Sequence, residues 1–447
     1  MIDDNSKEFI KRHIGPSDDD QSKMLKYVGY NSLDDLMMNT VPEKILLKED
    51  LKINEPLSEN DALRKLKLIS KKNKIFRNFI GMGYYNSFTP NVILRNILEN
   101  PGWYTSYTPY QAEVAQGRLE MLLNFQQLII DLTGMDIANA SLLDEATAAA
   151  EAVGLCHRLS NQKTKKIFVS EHCNPQTISL IKTRAEPFGL ELIIGDEKTE
   201  LAKTNDSIIC GVISYPRTLG EIVDPSESIS QIHKKNGKAI LISDLLALTK
   251  LKTPAELGAD IVVGSAQRFG IPMGYGGPHA AFFATKEEYK RSMPGRIIGV
   301  SVDRYGKKAY RLSLQTREQH IRRDKATSNI CTSQALLAII SAAYAIYHGP
   351  MGILKIANRT SKLTKLFADE IKKGGFEILS DNFFDTVTIK TNEKTEDIYE
   401  AALKEKINLR KVDNKKIAVA FDEAKKLKDV NILLKIFGIS KIVKQDI

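Results

Sequence analysis

One acidic residue follows an apolar run in the middle of the chain and is the first candidate for chemistry. Asp244 comes soon after the run Ala239–Ile242, and short apolar runs of this kind predict buried strands. An acid at the carboxyl end of a strand lies where open α/β sheets bind ligands. In pyridoxal-phosphate enzymes an Asp at such a place pairs with the protonated pyridine nitrogen, and a Lys on a later strand end forms a Schiff base.

The residue at the expected lysine position is an amide. The run Ile261–Gly264 is followed by Ser265-Ala266-Gln267-Arg268, and Gln267 stands where the lysine would be. An amide nitrogen is not nucleophilic, so Gln267 cannot form an aldimine. An alternative is a self-sufficient enzyme that uses Lys250 or Lys252, but these lysines come too soon after Asp244, in the helix expected between the strands. The sequence therefore predicts a cofactor site without its covalent anchor.

Two further segments suit the remaining parts of such a site. His172 follows a predicted strand end and could stack on a pyridine ring, although a histidine there is more often structural. An alanine-rich helix begins near Asp144-Glu145, and helix N-termini bind phosphate groups. Because these two carboxylates would satisfy the free amides themselves and repel a phosphate, the sequence argues against a working phosphate cup. We predict a vestigial cofactor site that contains Asp244, His172 and Gln267.

Two loops are rich in glycine and aromatic residues. The segments 79–86 and 101–111 contain the single Trp and five of the fifteen Tyr. Long loops of this composition are often functional, and packing at a subunit interface explains them equally well. Both interpretations hold together if the loop serves an active site at an interface, with Tyr104, Tyr107, Tyr110 and Gln111 as the candidate residues.

The elements that must position these residues alternate in type between residues 165 and 285. Strands and helices follow one another there, which predicts a mainly parallel sheet covered on both faces. We expect an N-terminal helical arm at 1–60 and a large α/β domain at 61–330. Bridging helices and a small C-terminal α/β domain are expected at 331–447.

Composition narrows the classes of function. The 447 residues are 43% hydrophobic and carry a net charge of +9, but no nucleic-acid-binding motif accompanies the dispersed basic residues. The four cysteines are widely spaced, which favours reduced thiols over a metal site or disulfides. The N-terminus has no apolar run of signal-peptide length, and segment 335–347 is too short to span a bilayer. We expect a cytoplasmic protein with no nucleic-acid partner, no membrane and no metal.

Long motifs give the chain a specific resemblance. The main ones are GMGYY from Gly81, NPGWYT from Asn100, YTPYQAE from Tyr107, DEATAAAEA from Asp144, QRFGIPMGYGGPH from Gln267 and LQTREQHIRR from Leu314. On these residues the chain resembles the alpha-subunit type of glycine dehydrogenase (decarboxylating), the P-protein family of the glycine cleavage system. The likeness runs over nearly the whole chain, beginning with FIKRHIGP at Phe9.

This resemblance implies a fold-type-I pyridoxal-phosphate architecture and explains Gln267. In the family a beta subunit carries the Schiff-base lysine and the pyridoxal phosphate, in a His-Lys-Thr-Phe run that matches Ala266 to Phe269. The implied enzyme is an aminomethyl-transferring, decarboxylating glycine dehydrogenase in which this chain is an obligate subunit. It would release CO2 from glycine, pass the aminomethyl group to the lipoylated H-protein, and assemble as α2β2. The alternative is a non-catalytic scaffold that stabilises its partner or docks the H-protein.

Overall fold

The computed structural model describes residues 13, 15–49, 51–54, 56–105, 108–204, 206–314, 319–326, 330 and 334–443. The chain divides into two units, Met1–Ile75 and Phe76–Ile447. The first unit includes a helix from Glu59 onwards that the sequence had assigned to the large domain. The domain boundaries expected at 60/61 and 330/331 stay predictions.

The regular elements are numbered here in chain order. The strands are β1 (Arg77–Phe79), β2 (Ile137–Ala138), β3 (Lys166–Ser170), β4 (Glu191–Gly195), β5 (Cys210–Tyr215), β6 (Lys238–Ser243), β7 (Ile261–Ser265), β8 (Ala281–Thr285), β9 (Ile297–Val302), β10 (Lys308–Ser313), β11 (Glu377–Ile378), β12 (Thr386–Lys390), β13 (Ile407–Asp413) and β14 (Lys416–Ala420). The helices are α1 (Asp18–Val28), α2 (Leu33–Thr40), α3 (Glu59–Ser70), α4 (Asn91–Ile93), α5 (Gln116–Thr133), α6 (Glu145–Leu159), α7 (Pro175–Ala185), α8 (Ser226–Lys234), α9 (Leu245–Leu248), α10 (Gln319–Arg322), α11 (Ala335–Lys373), α12 (Thr395–Lys404) and α13 (Leu427–Ile436).

The first unit is made of capped helices with little core of their own. Ser17 accepts a hydrogen bond from the N–H of Asp20 and starts α1, as the Ser-Asp run predicts. Ser32 and Ser58 cap α2 and α3 in the same way. In the described part of this unit, Leu25 is the one buried side chain. Such a segment gains little stability from its own packing.

The second unit is organised around a seven-stranded sheet. Its strand order is β2-β8-β7-β6-β5-β3-β4. Strands β7, β6, β5, β3 and β4 run parallel, and β8 pairs antiparallel with β7 and β2. The mainly parallel sheet predicted from the sequence is confirmed, and the carboxyl ends of β3, β5, β6 and β7 lie at one edge.

Both faces of this sheet are buried, which explains why its strands read as continuous apolar runs. Ala239 and Leu241 of β6 pack into a core on one face, with side chains of α5 and the first half of α11. Ile240 and Ile242 pack into the core on the other face, against α6 and α7. Alternate strand residues point to opposite faces, so a strand covered on both sides needs apolar residues throughout. We call this assembly the large lobe.

A second sheet forms what we call the C-terminal lobe. Its order is β1-β13-β14-β12-β11, in which β1 joins parallel to β13 and the other pairs are antiparallel. The second half of α11 packs with α12 and α13 on its core, through Leu363, Phe367, Ile398 and Leu433. The smaller C-terminal α/β unit predicted from the sequence is present, and β1 adds an N-terminal strand to it.

Helix α11 links the two lobes and bends between them. Gly349 has a left-handed φ of 62° and is followed by Pro350, so the segment is two helices joined at a kink. The sequence predicts these two helices, over 334–347 and 356–373. By length and composition alone, α11 could cross a membrane, but the core helix of a soluble protein passes the same test and 44% of its most apolar window is buried.

Short segments complete the described chain. Strands β9 and β10 form an antiparallel hairpin. Cys156, Cys173 and Cys210 are free and buried, whereas Cys331 lies outside the described residues. The π-helical turns are Leu94–Leu98 and Glu197–Leu201, and the 3₁₀ turns are Ala112–Val114, Glu186–Phe188, Glu287–Tyr289, Arg323–Lys325 and Asn392–Lys394.

Candidate functional site

A cavity opens at the carboxyl edge of the large sheet, where the sequence predicts a site. It has a volume of about 60 Å³, which is small beside the roughly 300–1,000 Å³ of common ligand pockets. Both lobes contribute to its walls. The polar side chains that line it belong to Tyr85, Glu145, Asn174, Ser214, Arg217, Thr218, Ser243, Asp244, Ser265, Arg268, Asp385 and Thr386.

Asp244 lies at this edge directly after β6, as predicted. One carboxylate oxygen, Oδ1, accepts hydrogen bonds from the N–H groups of Leu246 and Ala247 and caps the short helix α9. The other, Oδ2, accepts from Arg268 Nη1 at 2.6 Å. Both oxygens therefore have partners within the chain, and the cation that Asp244 faces is a guanidinium.

Arg268 also lines the cavity, in a role that the sequence alone does not predict. Its Nη1 also donates to Asp385 Oδ2 at 2.7 Å, and the side chain is only 4% exposed. The guanidinium lies over the ring of Tyr85, 3.9 Å from its centre. Burial lowers the pKa of Arg268, but Asp244 and Asp385 raise it by more, so the net shift is upward. Arg268 is a fixed positive charge between carboxylates from both lobes.

The position of the missing lysine is occupied by a fully hydrogen-bonded amide. Gln267 Oε1 accepts from the N–H of Tyr85 at 2.9 Å. Its Nε2 donates to the carbonyl oxygens of Tyr85 and Ile271, both at 2.7 Å. Gln267 is completely buried and is not among the residues that line the cavity. It holds the glycine- and tyrosine-rich loop against the large lobe.

The start of helix α6 is capped by its own acid, as the two carboxylates in the sequence indicate. Asp144 Oδ1 accepts from the N–H of Thr147 at 2.8 Å. Glu145 Oε1 accepts from Asn174 Nδ2 and from Thr177 Oγ1. Burial raises the pKa of Glu145, although these two hydrogen bonds oppose the shift. An anion already stands where a phosphate would bind.

His172 belongs to a separate cluster with Asp196 and Glu197. Its Nε2 lies 3.0 Å from Asp196 Oδ2 and 3.9 Å from Glu197 Oε2. The ligand atoms of these three residues lie within 4.8 Å of one another, a spacing that a metal ion could use. However, Arg217 Nη2 lies 2.6 Å from Glu197 Oε2, so a guanidinium already supplies the positive charge. His172 does not line the cavity.

The aromatic loop separates into buried and exposed parts. Tyr110 is half-buried, and its hydroxyl accepts a hydrogen bond from Arg296 Nη2 at 2.5 Å. Tyr104 is 51% exposed and Gln111 is exposed, so both are open to a partner. Tyr107 lies outside the described residues. The role of this loop in a partner's active site stays a prediction.

The residues around the cavity do not fit pyridoxal phosphate. No lysine lines it among the described residues, and Lys250 and Lys252 are also absent from its walls. Arg268 takes the place beside Asp244 that a protonated pyridine nitrogen needs. The carboxylate of Asp144 accepts from one N–H at the start of α6, that of Thr147, and places a negative charge there. The free volume is also too small for a ring with a phosphate arm.

Sequence signals for the missed residues differ in strength. Arg268 directly follows Gln267, so its position at the same strand end could have been read from the sequence. Asp385 and Tyr85 gave no such signal, because they reach the cavity only when the C-terminal lobe and the segment before α4 pack against the large lobe. Residues 117 positions apart meet here through tertiary structure alone.

Comparison with known sequences identifies the family. The family model "Glycine cleavage system P-protein" matches residues 11–437. A glycine dehydrogenase (decarboxylating) of Pelagibacter ubique is 71% identical over 445 residues, which are 100% of this chain and 46% of that protein. The chain spans about half the length of the curated relatives it matches.

Comparison with solved structures agrees with the sequence matches. A crystal structure of a glycine decarboxylase (P-protein) of the glycine cleavage system superposes with a TM-score of 0.85 at 30% identity, covering 95% of this chain and 98% of that one. The glutamate decarboxylase of Lactobacillus brevis, at 12% identity and a TM-score of 0.63 over 90% and 97% of the two chains, shares the fold alone. The expected fold-type-I pyridoxal-phosphate-dependent architecture is confirmed. The chain belongs to the glycine cleavage system P-protein family.

Proposed function

We propose that this chain acts as the alpha subunit of a glycine-decarboxylating P-protein and works with a partner that carries the Schiff-base lysine. The single observation that carries this proposal is the state of Gln267, which is buried and held by three hydrogen bonds at the lysine position. The relatives are about twice as long as this chain, which leaves room in them for a second half that holds the cofactor.

The reaction takes place on the partner's pyridoxal phosphate in this proposal. Glycine loses its carboxylate as CO2, and the remaining aminomethyl group passes to the oxidised lipoyl group of the H-protein. The cofactor supplies the electron sink for the carbanion that decarboxylation leaves. This chain contributes no covalent step. Its share is to complete the assembly, as a cytoplasmic α2β2 heterotetramer, and to bring exposed loop residues to the partner's site.

The first experiment is a visible spectrum and a glycine–CO2 exchange assay of this chain alone and then with the lysine-bearing partner. We expect the isolated chain to be colourless and inactive, and the mixture to absorb in the visible range and exchange CO2. An imine absorption band and exchange by the isolated chain would show that another lysine is the anchor. A mixture that stays inactive although both chains assemble would favour the scaffold alternative.

The aromatic loop is tested by removing single hydroxyl groups. Tyr104→Phe and Tyr107→Phe should lower turnover of the reconstituted pair without changing assembly, because in this proposal the hydroxyls of the loop reach the partner's site. Tyr305→Phe is the matched control, since Tyr305 is exposed on the β9–β10 turn. Tyr110→Phe also removes the acceptor of Arg296, so its effect must be read together with the unfolding free energy of this chain. Unchanged turnover in the first two variants would exclude the loop from the site.

A further inference from the structure

We propose that the Asp244 cavity and the recess beside it, which Asp144 lines, form a self-occupied cofactor site. In it Arg268 and Asp144 supply the two charges that pyridoxal phosphate would bring, and Arg268 fastens the C-terminal lobe to the large lobe. We call Arg268, Asp244, Asp385 and Tyr85 the Arg268 latch. The inference rests on contacts within this chain and goes beyond the proposed function, since it also predicts how the chain behaves without any partner.

At the cation end of the site, a guanidinium lies beside Asp244. A pyridine ring bound in this fold needs a protonated nitrogen beside the acid that follows the strand. Arg268 Nη1 occupies that place at 2.6 Å from Asp244 Oδ2. The lost lysine alone would not explain this arrangement, because a cavity that had lost only its anchor would still be open beside Asp244.

Two aromatic rings lie against the guanidinium of Arg268 and enclose it. The ring of Tyr85 lies on it at 3.9 Å and that of Phe384 at 5.6 Å. Its Nη2 is buried and has no hydrogen-bond acceptor in the part of the chain that the structure describes. The face of an aromatic ring can take the place of an acceptor beside a guanidinium. A cofactor ring would need the same space.

The Arg268 latch joins the large lobe to the C-terminal lobe. Asp244 belongs to the large lobe, whereas Asp385 directly precedes β12 of the C-terminal lobe. One nitrogen of Arg268 bonds to both carboxylates. Gln267 holds the backbone of Tyr85, so the ring that covers Arg268 is itself fixed to the large lobe.

Further contacts across the same interface run parallel to the latch. Asp422 of the C-terminal lobe accepts from the N–H and the side-chain amide of Asn86. Glu423 accepts from the hydroxyls of Ser87 and Tyr344. Thr388 donates to the carbonyl of Leu219 at 2.7 Å. The Arg268 latch is therefore one of several contacts that hold the lobes together, and it is the one that leaves buried charges unpaired when its cation is removed.

The anion end of the site is a recess beside the main cavity. Asp144 and Glu145 line a recess that shares Met82, Gly83 and Ser265 with the main cavity. Asp144 accepts a hydrogen bond from the N–H of Thr147 in the first turn of α6, where the N–H groups and the helix dipole would otherwise favour a phosphate. The chain therefore carries a cation of its own in the cavity and an anion of its own in the adjoining recess.

The latch is tested first by hydrogen exchange on the isolated chain. In Arg268→Met, we expect backbone amides in segments 216–222 and 382–388 to exchange at least about tenfold faster than in the unchanged chain. Arg184→Met is the matched control, because Arg184 Nη2 also lies 2.6 Å from a buried carboxylate, that of Glu151, but within one lobe. Asp385→Asn is a milder second variant that should act in the same direction. Equal exchange in both segments for Arg268→Met and Arg184→Met would overturn the latch.

The exclusion of the cofactor is tested separately, by titrating pyridoxal phosphate into lysine variants. Gln267→Lys combined with Asp144→Ser should give no imine absorption, because Arg268 still occupies the site. The same two substitutions combined with Arg268→Thr should give it, as the lysine amine condenses with the aldehyde and releases water. Equal uptake by the two variants, or no uptake by either, would overturn the claim that Arg268 excludes the cofactor. Neither result depends on glycine turnover, so the proposed function is not at stake here.

Discussion

The Asp244 cavity and the recess beside it carry opposite charges and are built in different ways, and we call them the cation end and the anion end of the site. At one end, Arg268 reaches Asp244 in its own lobe and Asp385 in the other, 117 positions away in the chain. At the other end, Asp144 bonds to an N–H only three residues further along. The first contact exists only when the lobes are packed, whereas the second forms wherever α6 forms.

This difference indicates that the contacts of Arg268, and not those of Asp144, keep the two lobes packed together. A local cap stabilises one helix and leaves the lobes free to separate. If the cation of a buried ion pair between lobes is removed, two carboxylates are left without a counter-charge. These unpaired charges destabilise the arrangement in which the lobes are packed together. We therefore expect substitutions at the cation end to have larger and wider effects than substitutions at the anion end.

The largest effect is expected for Arg268→Met. The substitution leaves Asp244 and Asp385 facing each other without a cation, and breaking a buried pair in this way costs about 3–5 kcal/mol of unfolding free energy. The measurement is urea unfolding of the isolated chain. Adding Asp385→Asn should recover part of the loss, because it removes one unpaired charge. A loss below about 1 kcal/mol would mean that the pair is compensated by solvent.

A somewhat smaller effect is expected for Gln267→Leu, which keeps the volume but removes the amide. The N–H and carbonyl of Tyr85 and the carbonyl of Ile271 then lose their partner. Because unsatisfied buried groups are costly, the loss should be about 2–3 kcal/mol. Gln127→Leu is a control on an exposed part of α5. If both variants unfold at the same urea concentration, Gln267 does not hold the loop.

Asp144→Ala should have a smaller and more local effect. Loss of an N-cap typically costs about 0.5–2 kcal/mol, and faster amide exchange should be confined to the first turn of α6. Asp144→Asn keeps a capping oxygen and should restore most of the stability, so the two variants separate the hydrogen bond from the charge. Faster exchange in segment 382–388 of Asp144→Ala would contradict the contrast between the two ends.

The smallest effect is expected for Glu145→Gln, and it depends on pH. Burial raises the pKa of Glu145 above its ordinary value of 4.5, so the folded chain binds this proton more tightly than the unfolded chain. The stability that Glu145 contributes is fully present below its pKa in the unfolded chain and is lost as pH rises through its pKa in the folded chain. Because the Gln oxygen can still accept from Asn174 and Thr177, the variant should be slightly more stable than the unchanged chain at neutral pH and equal to it in acid.

Unfolding curves over a range of pH measure this difference. Glu113→Gln, at an exposed position just before α5, is the control, and its stability relative to the unchanged chain should vary little with pH. A stability gain for Glu145→Gln that is as large in acid as at neutral pH would show that burial of the charge is not its cause.

Much of the fold could be predicted because its signals are local and repeated. The runs expected at 239–242 and 261–264 are strands β6 and β7, with ends that differ by at most one residue. Strand β1 was not predicted, since Arg77-Asn78-Phe79 is too short to show a period and its partner, β13, lies some 330 residues later. Strand pairing over such a separation has no signature in a single sequence.

The sequence by itself determined that Asp244 stands at a strand end and that Gln267 cannot serve as a Schiff-base anchor. It also determined that Asp144 and Glu145 would compete with a phosphate for the free N–H groups at a helix start. These facts follow from residue type and local spacing. Only the tertiary structure decided that Arg268 lies between Asp244 and Asp385 under the ring of Tyr85. The physical reason is that this ion pair needs both lobes packed together, and the burial that gives it strength arises from contacts distant in the chain.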